Sequence, residues 1–211
     1  MTAVRQYVTL PSGHDPAGFA RHDAHGREAM TTDQISSARL RLVPLTVGDA
    51  AEMVEVLSGE ALYAYTGGAP PGLYELRARY ARQAAGWSPD GREQWRNWIL
   101  RREPGGEAVG YVQATISGEG RRAEIAWVVG LRWQGRGYAT EAARALVGWL
   151  DARGVQVVQA RIHPEHAASA AVARRAGLRP SGVTEDGEQL WLRHRPPRRT
   201  VTPPAPESAP G

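Results

Sequence analysis

Hydrophobic and polar positions alternate along the chain with two periods. From Ala38 to Leu45, Leu40, Leu42 and Pro44 alternate with Arg39, Arg41 and Val43, the two-residue period of a half-buried strand. Thr46-x-x-Asp49 is a capping-box variant that opens a helix running to about Leu57, and Ser58-Gly59 ends it. An aromatic, punctuated stretch from Leu62 to Gly72 predicts a loop. Leu73, Leu76, Tyr80 and Ala84 then share one face of a second helix. After a loop over Gly86 to Arg92, Trp95–Arg102 and Ala108–Ile116 predict a hairpin around Glu103-Pro104-Gly105-Gly106. Ala123 to Val129 is a strand, β-branched and aromatic enough to be buried. A long helix begins near Tyr138, with Ala142, Ala145, Leu146, Trp149 and Leu150 on one face. A strand over Val155 to Ile162, a short helix over Ala167 to Ala176 and a hairpin near Gly187 complete a mixed α/β order.

The chemistry concentrates where the Ala123–Val129 strand meets the long helix. Between them stand Gln134, Gly135, Arg136 and Gly137. A helix opened by glycines leaves its first N–H groups unpaired at the positive end of its dipole, an arrangement suited to an anion such as phosphate. A dinucleotide fingerprint would need a third glycine, and a nucleotide-triphosphate loop would need a lysine; the chain supplies neither.

In that context Gln134-x-x-Gly137-x-Ala139 resembles the acetyl-coenzyme-A pyrophosphate loop of the GNAT N-acetyltransferase superfamily. Ala123-Glu124-Ile125 on the preceding strand and the run from Gly137 to Ala142, GYATEA, strengthen the likeness. So does His163-Pro164 after the next strand. The wording is closest to the branch that acetylates ribosomal-protein N-termini. The likeness is sharp over residues 108–195 and looser over 38–107. It implies an α/β (α+β) fold: a mostly antiparallel, twisted sheet splayed at its centre, with helices on both faces and the cofactor in the split.

The same resemblance implies the site residues. Gly135, Gly137, Tyr138, Ala139 and Thr140 would present backbone N–H groups to the pyrophosphate, with Gln134 and Arg136 assisting. A backbone N–H at Val128 or Val129, turned inward by a bulge, would polarise the thioester carbonyl. Glu124 would be the general base, with a pKa raised by its apolar strand; the alternative is a strand carboxylate paired with Arg121 or Arg122. Relatives place an asparagine and, seven residues on, a tyrosine acid in the short helix; here those positions hold His166 and Ala173. Ser169, three residues after His166 as in the ribosomal-protein acetylase branch, is by that resemblance the candidate acid, or else a helix cap. His166 would contact the pantetheine arm or cap the helix. The acceptor would lie between the Leu62–Pro71 loop, the strand around Trp95 and Trp98, and the last hairpin. Tyr63, Tyr65, Trp95 and Trp98 are candidates there, or core.

Composition narrows the class. The 211 residues suit one domain: 42% are hydrophobic and 23% charged, and no apolar run is long enough for a membrane span. With no cysteine there is no thiolate to carry an acyl group, so direct attack in a ternary complex is expected. His163 and His166 lack a third metal ligand, and no metal is expected. All 26 basic residues are arginine, which fits either an arginine-for-lysine coding bias or fixed charge near phosphate. They are interleaved with 22 acidic residues, against nucleic-acid binding. The expected organisation is a flexible leader at 1–36, an N-acetyltransferase domain at 37–195 and a disordered Pro-rich tail at 196–211, with Met30 as an alternative start. A cytoplasmic monomer or homodimer, acting on a small-molecule amine or a protein N-terminus and on no membrane, completes the expectation. A different acyl-CoA donor, or a non-catalytic CoA-binding module, are the alternatives.

Overall fold

The computed structural model describes residues 33–195. The expected tail, Met30 and all of the leader up to residue 32 lie outside them. One short strand was not foreseen: β1 (Ile35–Ser36) precedes β2 (Leu40–Pro44), so the sheet begins two residues before the expected boundary at 37. The remaining elements follow the expected order: α1 (Ala50–Val56), α2 (Leu73–Ala84), β3 (Gln94–Arg102), β4 (Ala108–Ser117) and β5 (Arg122–Val129). After them come α3 (Tyr138–Ala152), β6 (Val157–Ile162), α4 (Ala167–Arg175), β7 (Arg179–Glu185) and β8 (Glu188–His194).

The strands form a single sheet in the order β1-β2-β3-β4-β5-β6-β8-β7, antiparallel everywhere except between β5 and β6. That parallel pair is brief. Only Arg122, Ala123 and Glu124 pair with Val157, Val158 and Gln159, and beyond Glu124 the two strands part. This is the expected splay.

Cross-strand partners share a face and neighbours alternate, which sorts the helices. Trp98 pairs with Val112 and meets Trp149 of α3 edge-on, ring centroids 5.0 Å apart. Tyr111, one residue away, faces Tyr80 of α2 instead. Thus α3 and α4 pack on one face and α1 and α2 on the other. Trp98, a candidate for the acceptor site, is core: it is buried, and its indole N–H donates to the Asp33 carbonyl at 2.6 Å.

Local chemistry explains the boundaries. Thr46 donates its N–H (2.7 Å) and hydroxyl (2.8 Å) to the Asp49 carboxylate, as the capping-box spacing predicts. A short 3-10 turn, Val47–Asp49, is inserted before α1 proper. Asp49 also receives Arg101 of β3 at 2.7 Å, tying the helix start to the sheet.

The bulge does not fall where it was expected. β5 keeps unbroken register with β4 from Arg122 to Val129. The register shift lies one strand over, between Leu100 and Arg101 of β3, with Val109 of β4 as the extra residue. Beside it, Gly110 meets the end of β5 so closely that a Cβ would stand 2.0 Å from the Val128 carbonyl oxygen. Only glycine fits against that backbone. Gly110→Ala is therefore expected to destabilise the fold by about 1–3 kcal/mol, as overpacking does. Urea unfolding checks this, and a variant as stable as the parent would show that the close approach is not real.

Candidate active site

A cleft of about 1100 Å³ lies between the end of β5, the first turns of α3 and the first turns of α4. Its floor is set by hydrogen-bond parity. The Gly130 N–H donates to the Val109 carbonyl of β4 at 2.9 Å. In an antiparallel ladder such bonds alternate, so Val128 also faces β4, while the N–H groups of Trp127 and Val129 face the gap left by β6. Of the two candidates for an inward N–H, Val129 has it and Val128 does not. Val129, not Val128, lines the cleft.

The helix end is built as the glycines require. Gly135 (φ 75°) and Gly137 (φ 82°) adopt left-handed backbone that other residues avoid. Gly137 is the N-cap of α3, no side chain caps the helix, and the first intrahelical bond runs from Glu141 N–H to the Gly137 carbonyl at 3.0 Å. The N–H groups of Tyr138, Ala139 and Thr140 are thus left at the mouth of the helix, beside the cleft. Gln134, Gly135, Gly137, Tyr138, Ala139 and Thr140 all line it. Arg136 is exposed and does not. Gln134 reaches back along the chain, donating its Nε2 to the Val129 carbonyl at 3.0 Å, and so fixes the turn to the strand end.

The opposite wall comes from α4. His166 is its N-cap, and His166 Nδ1 accepts weakly from the Ser169 N–H at 3.5 Å. Both line the cleft and both are buried. Tyr65 stacks on the His166 ring at 4.4 Å, closing the cleft from the loop before α2. Ala173, at the position where the resemblance implied a tyrosine, is fully buried in the core; Val172 beside it faces the cleft.

Glu124 stands apart. It does not line the cleft. It lies at the last β5–β6 rung, where the strands part. Its surroundings are polar rather than the apolar ones expected: Gln159 Nε2 donates at 2.7 Å and Arg161 Nε lies at 3.4 Å. Its arginine partner is therefore Arg161 of β6, not Arg121 or Arg122. Arg161 also donates to Glu185 of β7, linking Glu124 to the last hairpin.

The profile of the family described as acetyltransferase (GNAT) domain matches residues 39–179. The chain belongs to the GNAT acetyltransferase family. Solved structures agree in fold. A GNAT acetyltransferase from Bacillus anthracis superposes with a TM-score of 0.63 at 18% identity, covering 76% of this chain and 98% of that one. RimL, a ribosomal L7/L12 alpha-N-protein acetyltransferase in complex with coenzyme A, gives 0.63 at 19%, with coverage of 77% and 98%. AAC(6')-Ib, in complex with an aminoglycoside and acetyl-CoA, gives 0.61 at 25%, with coverage of 76% and 94%. No curated protein matches the chain by sequence. The GNAT sheet, its splay and its helices on both faces are those expected.

Sequence reasoning missed two residues of this GNAT site, Arg39 and Glu141. Glu141 accepts from the Ser37 hydroxyl (2.8 Å) and the Arg39 N–H (2.7 Å), and pairs with the Arg39 guanidinium (2.7 Å). Glu141 stands in the GYATEA run and in the first turn of a helix whose mouth suits anions, but neither signal points to Arg39. Among the described residues no cluster of three or more potential ligands could hold a metal ion, and no helix is long and apolar enough to cross a membrane.

Burial pushes the His166 imidazole below its ordinary pKa. Between that value and the unfolded one near 6.5, the unfolded chain binds the extra proton. His166 thus contributes stability that is full above about pH 6.5 and lost as the pH falls below it. NMR titration should find His166 protonating at lower pH than an exposed histidine; an ordinary or raised value would contradict its burial.

Proposed function

We propose that this GNAT acetyltransferase moves the acetyl group of acetyl-CoA directly to a primary amine in a ternary complex. The observation that carries the reading is the uncapped N-terminus of α3 beside the Val129 N–H, both facing one cleft. The pyrophosphate fits the first: up to three backbone donors, a helix dipole and left-handed glycines give an anion a concave seat. The thioester carbonyl fits the second, because a fixed donor aimed at the oxygen stabilises the charge that develops on attack. The acetyl-CoA donor is thereby oriented along the split, with its thioester carbon presented towards the opposite face of the sheet.

The remaining roles fall to side chains. Glu124, on that opposite face at the fork, takes the ammonium proton, directly or through water; Gln159 and Arg161 hold its carboxylate in place. Ser169, buried beside His166, serves the departing thiolate. A coenzyme thiol has a pKa near that of cysteine, about 8.5, so this help is worth little. The acceptor class is a primary amine, as a protein N-terminus or a small molecule; RimL and AAC(6')-Ib represent one of each among the fold's neighbours. The cytoplasm is the compartment proposed.

Acetyl-CoA offered with a panel of amines, with thiol release as the readout, tests the reading. Amine-dependent release is expected, and binding of coenzyme A with no release for any amine would favour a non-catalytic module. Glu124→Gln should lower turnover about a hundredfold while coenzyme affinity holds. A variant with the parent's rate and acidic limb would leave Glu124 a purely structural residue. Ser169→Ala should cost only about tenfold, in turnover rather than amine affinity; weaker coenzyme binding would make Ser169 a ligand instead.

A further inference from the structure

Glu141 presents a problem for any anion seated at α3. It lies one turn inside the helix and lines the same cleft, so its carboxylate is a like charge beside the seat. The segment joining β1 to β2 answers it. Oε1 of Glu141 accepts from the Ser37 hydroxyl at 2.8 Å and the Arg39 N–H at 2.7 Å; Oε2 accepts from Arg39 Nε at 2.8 Å. Burial works against ionisation of Glu141, but the bonds from the Arg39 N–H, the Ser37 hydroxyl and the Arg39 guanidinium outweigh it and hold the carboxyl below its usual range.

The same guanidinium reaches the turn itself. Arg39 Nη1 donates to the Arg136 carbonyl at 3.2 Å, and its Cζ stands 4.9 Å from the centre of the Tyr138 ring. In a trans peptide the C=O and the N–H point in opposite directions. An arginine that holds the Arg136 carbonyl therefore turns the Gly137 N–H away from itself.

We infer that Arg39, 102 positions before Glu141, is a positioning residue for the coenzyme turn: it neutralises Glu141 and fixes the 136–137 peptide. Coenzyme affinity is thus set partly by a segment outside the strand–turn–helix unit that carries the family pattern. The inference rests on the coenzyme reading of the cleft.

Calorimetric titration with coenzyme A, beside steady-state kinetics, separates the possibilities. Arg39→Ala should weaken coenzyme binding about tenfold or more, by taking the guanidinium charge away from Glu141 at the seat and leaving it only the Ser37 hydroxyl and a backbone N–H, while the KM for amine stays unchanged. Adding Glu141→Gln to Arg39→Ala should recover most of the affinity, because the offending charge is gone. Arg39→Lys, which keeps the charge without the fork and does not depend on the alanine variant folding, should fall between, at about threefold. Losses that add in the double variant, or that appear equally in amine KM and coenzyme affinity, would reduce the pair to an ordinary brace and overturn the inference. So would unchanged affinity in both single variants at Arg39. A parent protein that does not bind coenzyme A would overturn the coenzyme reading itself, and the inference with it.

Discussion

The parting of β5 from β6 is the constraint on which the rest of the site depends. Two parallel strands hold three rungs and then separate at Glu124. Backbone groups in a sheet interior are ordinarily paired, and leaving them unpaired away from water is costly. Here the far half of β5 keeps only its β4 neighbour, so every second N–H and C=O faces a gap. A ligand with carbonyls and amides of its own suits such a gap, as an added strand suits a sheet edge. The separation also brings α3 and α4, which cover the two diverging strands, to either side of one cleft.

Several features keep that gap in shape. Val109 bulges out of β4 and Gly110 lets β5 press against it, so the sheet bends where the split opens. Gln134 ties the turn to the Val129 carbonyl, and Arg39 ties it to the segment after β1. On the other face, Arg161 bridges Glu124 and Glu185, joining both sides of the fork to the last hairpin. All but the Gln134 bond are charge-assisted, the class in which geometry contributes most.

What the sequence revealed follows from what sequence encodes locally. The strand, the left-handed glycines and the amphipathic helix after them are all local, and they stood where spacing placed them. Gln134, Gly137, Thr140, His166 and Ser169 meet around the cleft because one motif and one short helix carry them. What escaped is non-local. Nothing in a run of residues says that Arg39 will find Glu141, or that the partner of Glu124 will be Arg161 on the next strand rather than its own neighbours. The bulge was expected in β5 and sits in β4, because bulge position depends on the register between strands. Trp98 was a candidate for the site although an aromatic at such a position is more often core; its partner Trp149 on α3 decides for the core.

The proposed function turns on the α3 N-terminus as the seat of the coenzyme pyrophosphate. Gly137 bears on it most directly, since its backbone is left-handed and it caps the helix whose first N–H groups form the seat. Calorimetric titration of coenzyme A into the parent and into a Gly137→Val variant, shown by circular dichroism to be folded, is the decisive comparison. Saturable binding by the parent and a loss of at least about a hundredfold in the variant are expected, the scale set by losing charge-assisted donors together with the seat's shape. Equal affinities in two folded proteins would contradict that seat.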